Sequence, residues 1–422
     1  MHRATLLLLV LVGVFAASSS AAPAVVDIPI YGNYSATFFY YIFLDVGSPS
    51  VTYSVVVDTG SSDFFIPQYN CNGCMGDPTT WYFPNQSSTS KAPSCSQYKC
   101  DSCDEDQCHT SVNYGGSITE EAILYSDVVS LGSKVSVDTI FGGIYNVSYQ
   151  ESSTLSEWSQ LYATQKREFL RMIRTTGQNM GADNDVYYPE GMMGLAYESL
   201  TGAHYPPLVD ALAQAGQIAN IFSLCLQPLG GVLTLGGIGS FSKGSIQYTP
   251  LLSEDFYTIT VVDFQVEGQS IGVSPNVYNK PGPSIVDSGT PFPTLPIEAY
   301  EALRKLMLAQ CKKVDLPGIC NTPPNKSLFD NTCFKLTPEE IAKFPMFEMV
   351  LDGNVSLSYP PTSYLQYMYY CDSPDEVGLA LSEDQNFTIV GASLMQLYLT
   401  VFDRVNKQVG FAPEYGCPGA SA

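Results

Sequence analysis

A chain of 422 residues is far longer than one hydrophobic core usually supports, so size alone predicts two or three domains, with two comparable lobes as the simplest division. Its 19 lysines and arginines stand against 41 aspartates and glutamates, a formal charge of −22. That balance argues against nucleic acid and anionic lipid as partners, and it suits an acidic working pH, where protonated carboxyls no longer repel one another.

Residues 1–22 carry a short positive start at His2 and Arg3, an apolar run over 6–17 and small residues over 16–22, the pattern of a secretory signal peptide. The run falls short of the ~20 residues a spanning helix needs, and nothing later is long and apolar enough. A soluble mature protein is therefore expected in the secretory pathway, either outside the cell or in the lumen of an acidic compartment such as a lysosome, vacuole or phagosome. Twelve cysteines behind the leader point to disulfides in an oxidising compartment. Glycosylation triplets beginning at Asn33, Asn85, Asn146, Asn325, Asn354 and Asn386 agree with that route.

Short runs of aromatic and β-branched residues, separated by Gly, Pro, Ser and Asn, read as strands at 40–46, 52–57, 221–226, 232–235 and 257–266. Helical periodicity is confined to 156–175, 207–215, 297–309 and 338–343. The fold class predicted is all-β with minor helices. Between these elements, Cys71, Cys74, Cys95, Cys100, Cys103 and Cys108 crowd into one stretch. Two Cys-x-x-Cys pairs within it have zinc-ligand spacing, but secretion favours disulfides, with the pairing left open.

The two halves repeat each other loosely. An apolar strand runs into Asp58-Thr59-Gly60-Ser61, and again into Asp287-Ser288-Gly289-Thr290; downstream of each lies an apolar pair and a glycine, Met192-Met193-Gly194 and Ile389-Val390-Gly391. Hydrolysis of a peptide bond needs an activated water and a proton donor for the leaving amine. Two close carboxyls supply both, because like charges at short range share one proton, leaving one group as base and the other as acid. No metal or cofactor is required. Gly60 and Gly289 permit close approach of backbone, Ser61 and Thr290 can donate to the neighbouring carboxylates, and Thr59 and Ser288 can reach across to the opposite loop. Histidine occurs only at 2, 109 and 204, which leaves a histidine-dependent serine or cysteine nucleophile poorly supported.

With these pieces assembled, the chain resembles the pepsin family of aspartic proteases. The matching stretches are 41–49 (YIFLDVGSP), 55–67 (VVVDTGSSDFFIP), 114–117, 194–197 (GLAY), 284–290 (SIVDSGT), 388–394 and 400–413 (TVFDRVNKQVGFAP), in family order from about 27 to 417. The resemblance implies a bilobal β fold, with lobes 27–240 and 241–417 and a cleft between them. It implies Asp58 and Asp287 as the catalytic pair and a hairpin flap carrying Tyr114 and Gly115. It further implies a monomer acting on extended peptide or protein substrates and blocked by pepstatin-type peptides. The stretch 83–100 is similar to the cysteine-rich insert of nepenthesin-type members. Cys333 and Cys371 match a bridge usual in the second lobe, Cys225 and Cys417 resemble one in beta-secretase-like members, and Cys311 and Cys320 would then pair locally. A catalytically silent binding protein on the same fold is the alternative.

The chain departs from the pattern in four places. Phe65 stands where relatives have a tryptophan that hydrogen-bonds the flap tyrosine, so the Tyr114 hydroxyl is expected to lack that partner. The flap tip, 114–117, is one residue shorter than usual. The mature-like start near Asp27 follows the leader almost directly, with no obvious zymogen segment between. Residues 150–189 form a longer segment than expected, with Trp158, Leu161, Tyr162, Phe169, Met172 and Ile173 at helical spacing and Lys166, Arg167, Arg171 and Arg174 as basic charge; a helical loop packed on the first lobe is the expectation.

Overall fold

The computed structural model describes residues 23–32, 34, 38–74, 76–114, 118–149, 189–241, 244–368, 370–413 and 416–417. The expected leader, the basic segment over 150–188, the flap-tip residues 115–117 and the acceptor Asn33 lie outside them.

Strands dominate the described chain, as the aromatic and β-branched runs predict. In the first half an eight-stranded sheet has the spatial order Tyr41–Val46, Val51–Asp58, Gly191–Gly194, Phe64–Asn72, Val135–Tyr149, Ile118–Leu131, Gln107–Tyr114 and Ser102–Asp104. The second half builds a five-stranded sheet, Thr258–Ile259, Ser284–Val286, Thr388–Val390, Thr294–Pro296 and Ser382–Asp384, and a four-stranded one over Gln269–Ser270, Val261–Val266, Phe347–Leu351 and Val355–Tyr359. A six-stranded sheet joins the halves: Val26–Ile30, Gly230–Leu235 and Ile221–Gln227 from one side of residue 240, then Tyr398–Asp403, Gln408–Pro413 and Gln247–Pro250 from the other. Its centre is apolar on both faces, with Phe222 stacked on Phe402 at 4.6 Å and Tyr257 edge-on to the same ring at 4.5 Å.

The loose sequence repeat has a structural counterpart. Val55–Asp58 runs parallel to Gly191–Gly194, and the inserted strand then pairs antiparallel with Phe64 and Phe65. In the second half Ser284–Val286 runs parallel to Thr388–Val390, which pairs antiparallel with Thr294. Each aspartate loop is thus bracketed by two strands with a downstream strand threaded between them. The glycines ending the threaded strands are needed for contact: a Cβ on Gly194 would lie 2.4 Å from the Ser62 backbone, and one on Gly391 2.4 Å from the Phe292 backbone.

Three of the four expected helical segments are helices. Leu208–Gln214 buries Leu208, Val209 and Leu212, and Ile297–Gln310 buries Ala299, Tyr300, Leu303 and Met307, each set recurring every three or four residues. Pro338–Ile341 starts at Thr337, whose hydroxyl and Glu340 form a capping box. The run 257–266 is not one strand: Thr258–Ile259 pairs with Ser284 and Ile285, whereas Val261–Val266 turns away to pair with Phe347–Leu351. No helix among the described residues is long and apolar enough to cross a membrane.

All twelve cysteines are paired: Cys71–Cys74, Cys95–Cys103, Cys100–Cys108, Cys225–Cys417, Cys311–Cys320 and Cys333–Cys371. The three bridges expected by resemblance are present. The open cluster pairs one Cys-x-x-Cys within itself and divides the other between two bridges. Of the glycosylation triplets, Asn85, Asn325, Asn354 and Asn386 are exposed, whereas Asn146 accepts from the Asn72 amide at 2.9 Å and donates to Glu121 at 2.5 Å.

Cys225–Cys417 spans 192 residues and ties the six-stranded sheet to the chain's end. Replacing both cysteines with alanine is expected to lower unfolding stability by about 2–5 kcal/mol in urea titrations. The same exchange at Cys71 and Cys74, only three residues apart, should shift the midpoint far less.

Candidate active site

Asp58 ends the buried strand Val51–Asp58, and Asp287 follows Ser284–Val286. Both carboxyls are enclosed, the residues being 5 % and 8 % exposed. Their immediate surroundings are the same twice over. Asp58 Oδ1 accepts the Gly60 N–H at 2.8 Å and Oδ2 accepts the Ser61 hydroxyl; Asp287 Oδ1 accepts the Gly289 N–H at 2.7 Å and Oδ2 the Thr290 hydroxyl at 2.5 Å.

Residues more than two hundred positions apart lock these loops together. The Thr59 hydroxyl donates to the Val286 carbonyl at 3.0 Å and accepts the Ser288 N–H at 2.9 Å. Reciprocally, the Ser288 hydroxyl donates to the Val57 carbonyl at 2.7 Å and accepts the Thr59 N–H at 3.1 Å. Each hydroxyl is both donor and acceptor, so four buried polar groups of the loops are satisfied without water. The glycines make the approach possible. A Cβ on Gly60 would sit 2.4 Å from Asp287 Cγ, and one on Gly289 2.3 Å from Asp58 Oδ1.

Burial pushes the Asp58 carboxyl well above its ordinary range, the Asp287 charge adds to this, and the Ser61 and Gly60 hydrogen bonds offset part of it. The arrangement is therefore a carboxyl pair that retains a proton where isolated carboxyls have lost theirs. Chemically it can take one proton and give another within one site.

Tyr114 closes the strand Gln107–Tyr114 and packs with Phe65, Ile118 and Val112. Its hydroxyl is buried and has no hydrogen-bond partner, as the phenylalanine at 65 leads one to expect. Gly115 lies outside the described residues. Among possible metal donors, Cys95, Cys103 and Asp106 lie together, but the two sulfurs are bonded to each other.

The sequence reading missed Asp63 and Tyr205. Asp63, 1 % exposed, accepts the Tyr205 hydroxyl at 2.8 Å and the Gly202 N–H at 3.3 Å behind the first aspartate loop. The available signal was an acid set between Ser62 and the apolar run Phe64-Phe65-Ile66, with no basic residue near it in sequence. Burial raises its carboxyl to about 6; the Tyr205 and Gly202 bonds lower it, and the charges of Asp101 and Glu120 raise it.

Residues 39–414 match the model of the family described as eukaryotic aspartyl protease. Among curated proteins, the chain is 28 % identical over 402 residues to a beta-secretase of Strongylocentrotus purpuratus, covering 90 % of this chain and 67 % of that protein. It is 28 % identical over 403 residues to pepsin A of Sus scrofa, covering 93 % and 85 %, and 27 % identical over 382 residues to pepsin A of Rhinolophus ferrumequinum, covering 89 % and 81 %.

Two outcomes test the geometry. Gly289→Ala drives a methyl into the Asp58 carboxylate and is expected to lower kcat/KM about a hundredfold in a protein that still folds. For Asp63 the folded state holds a proton more tightly than the unfolded chain, so stability is highest below pH 3.8 and is lost as pH rises from there to about 6. Asp63→Asn keeps an acceptor for Tyr205 and should abolish that loss, about 3 kcal/mol at neutral pH, in unfolding curves measured across the range.

Proposed function

The chain belongs to the eukaryotic aspartyl protease family, and we propose that it is an aspartic endopeptidase in which Asp58 and Asp287 activate water between them. The observation that carries this reading is the reciprocal lock of Thr59 and Ser288, which holds two enclosed carboxyls against each other's glycines. In the reaction one carboxylate takes a proton from water as its oxygen attacks the peptide carbonyl, while the other carboxyl gives its proton to the carbonyl oxygen. The neutral diol then collapses: the carbon–nitrogen bond breaks, the amine takes the pair's proton, and a diol hydroxyl returns one. The pair ends with the single proton it began with.

On this reading the lobes are 27–240 and 241–417, extended peptides bind in the cleft between them, and the hairpin bearing Tyr114 and Gly115 covers the bound chain. Six disulfides and the raised Asp58 and Asp63 carboxyls support work as a monomer in an acidic, oxidising lumen or outside the cell.

Cleavage of a denatured protein from about pH 3 to 7, with and without pepstatin, tests the reading. Wild type should be most active in acid and blocked by pepstatin, and Asp58→Asn and Asp287→Asn should each lower kcat about a thousandfold or more. A folded wild type that cleaves nothing at any pH would instead identify a silent binding protein on this fold.

A further inference from the structure

The hairpin register sorts the side chains around Tyr114. Tyr114 pairs with Ile118, Val112 with Glu120 and Thr110 with Ala122. These six share the inward face, while Ser111 and Asn113 are exposed on the other, where the Asn113 amide donates to the Thr119 hydroxyl at 2.9 Å. Glu120 lies diagonal to Tyr114 on one side and to Thr110 on the other, about 7–8 Å between backbones, a distance long side chains span. It is 8 % exposed, an acid in a face otherwise made of apolar residues and hydroxyls.

The Tyr114 and Thr110 hydroxyls are both buried and neither has a hydrogen-bond partner. Phe65 beneath offers the phenol a ring and no polar atom. Three carboxyls act on the phenol from three elements: Glu120 on the hairpin most strongly, then Asp63 at the head of Phe64–Asn72, then Asp58 at the end of Val51–Asp58; the Tyr205 hydroxyl adds a weaker contribution. Asp63 is engaged by Tyr205 and Gly202, and Asp58 by Gly60 and Ser61. Glu120 is the one of the three that moves with Tyr114.

We propose that Glu120 is the positioning residue for Tyr114: when the hairpin closes over bound peptide, its carboxylate accepts the Tyr114 hydroxyl and seats the ring against Phe65. The flap then carries its own anchor, where an indole in the lobe beneath would otherwise serve. A donor that is unpartnered in the open site gains its bond only on closure, so the bond favours the closed, water-excluding state. This inference rests on the peptidase reading.

The test is a double-mutant cycle on kcat/KM with one peptide substrate, using wild type, Glu120→Ala, Tyr114→Phe and the double variant, with Glu120→Gln as conservative control. Each single change is expected to lower kcat/KM about tenfold, the double variant to be no worse than either, and Glu120→Gln, which keeps a carbonyl acceptor, to retain most activity. Additive losses, a Gln variant as impaired as Ala, or a loss confined to Tyr114→Phe would overturn the proposal, the last meaning that the phenol donates to substrate directly. Should Glu120→Ala not fold, Glu120→Met fills the space without an acceptor and takes its place in the cycle. A wild type that cleaves nothing rejects the peptidase reading and this inference with it; an active wild type with an additive cycle rejects this inference alone.

Discussion

Two enclosed carboxyl groups repel each other, and the four hydrogen bonds between Thr59 and Ser288 and the opposing loops hold them side by side despite that repulsion. Everything near the site serves this constraint. Glycines at 60 and 289 leave room for the facing carboxylates, and the Ser61 and Thr290 hydroxyls orient them. Strands threaded from 191–194 and 388–390 pin each loop from behind: the Leu195 N–H donates to the Asp58 carbonyl at 2.8 Å, and the Asp287 N–H to the Val390 carbonyl at 3.1 Å. Because the lock is made of buried groups that satisfy one another, removing one partner strands the rest without water.

Holding the loops in register requires that the halves beneath them not slide. The six-stranded sheet supplies that floor, and other ties reinforce it. Arg404 is almost fully buried, pairs with Asp210 at 2.8 Å and lies 4.2 Å over the Tyr197 ring. The Tyr257 hydroxyl donates to the Leu195 carbonyl at 2.5 Å, one residue beyond the first threaded strand. A charge buried as deeply as Arg404 is tolerable only because a carboxylate and an aromatic face replace its water.

The charge character of the chain runs from composition into the core. A net charge of −22 and buried carboxyls at Asp58 and Asp63, both held above their ordinary range, make proton uptake favourable to the folded state. Acid then has one effect at two scales: it relieves repulsion over the surface and neutralises groups that the interior solvates poorly. The same protons that populate the active form of the dyad also stabilise the scaffold that presents it.

What the sequence by itself determined is whatever a short stretch encodes locally. Asp58-Thr59-Gly60-Ser61 and Asp287-Ser288-Gly289-Thr290 announce their chemistry because the residue types needed by a carboxyl turn are adjacent in the chain, and the helices at 208–214 and 297–310 because their buried residues recur with helical period. The second-half bridges were legible only through resemblance to known relatives. Six cysteines between 71 and 108 allow on the order of fifteen pairings, and three-dimensional proximity chose among them. Tertiary structure alone divided the run 257–266 between two sheets, because partner strands rather than propensity set where it turns. It alone also placed Asp63 against Tyr205 and Glu120 beside Tyr114. Residues up to 142 positions apart meet there, and the burial that alters a carboxyl's proton affinity is a property of what packs around it.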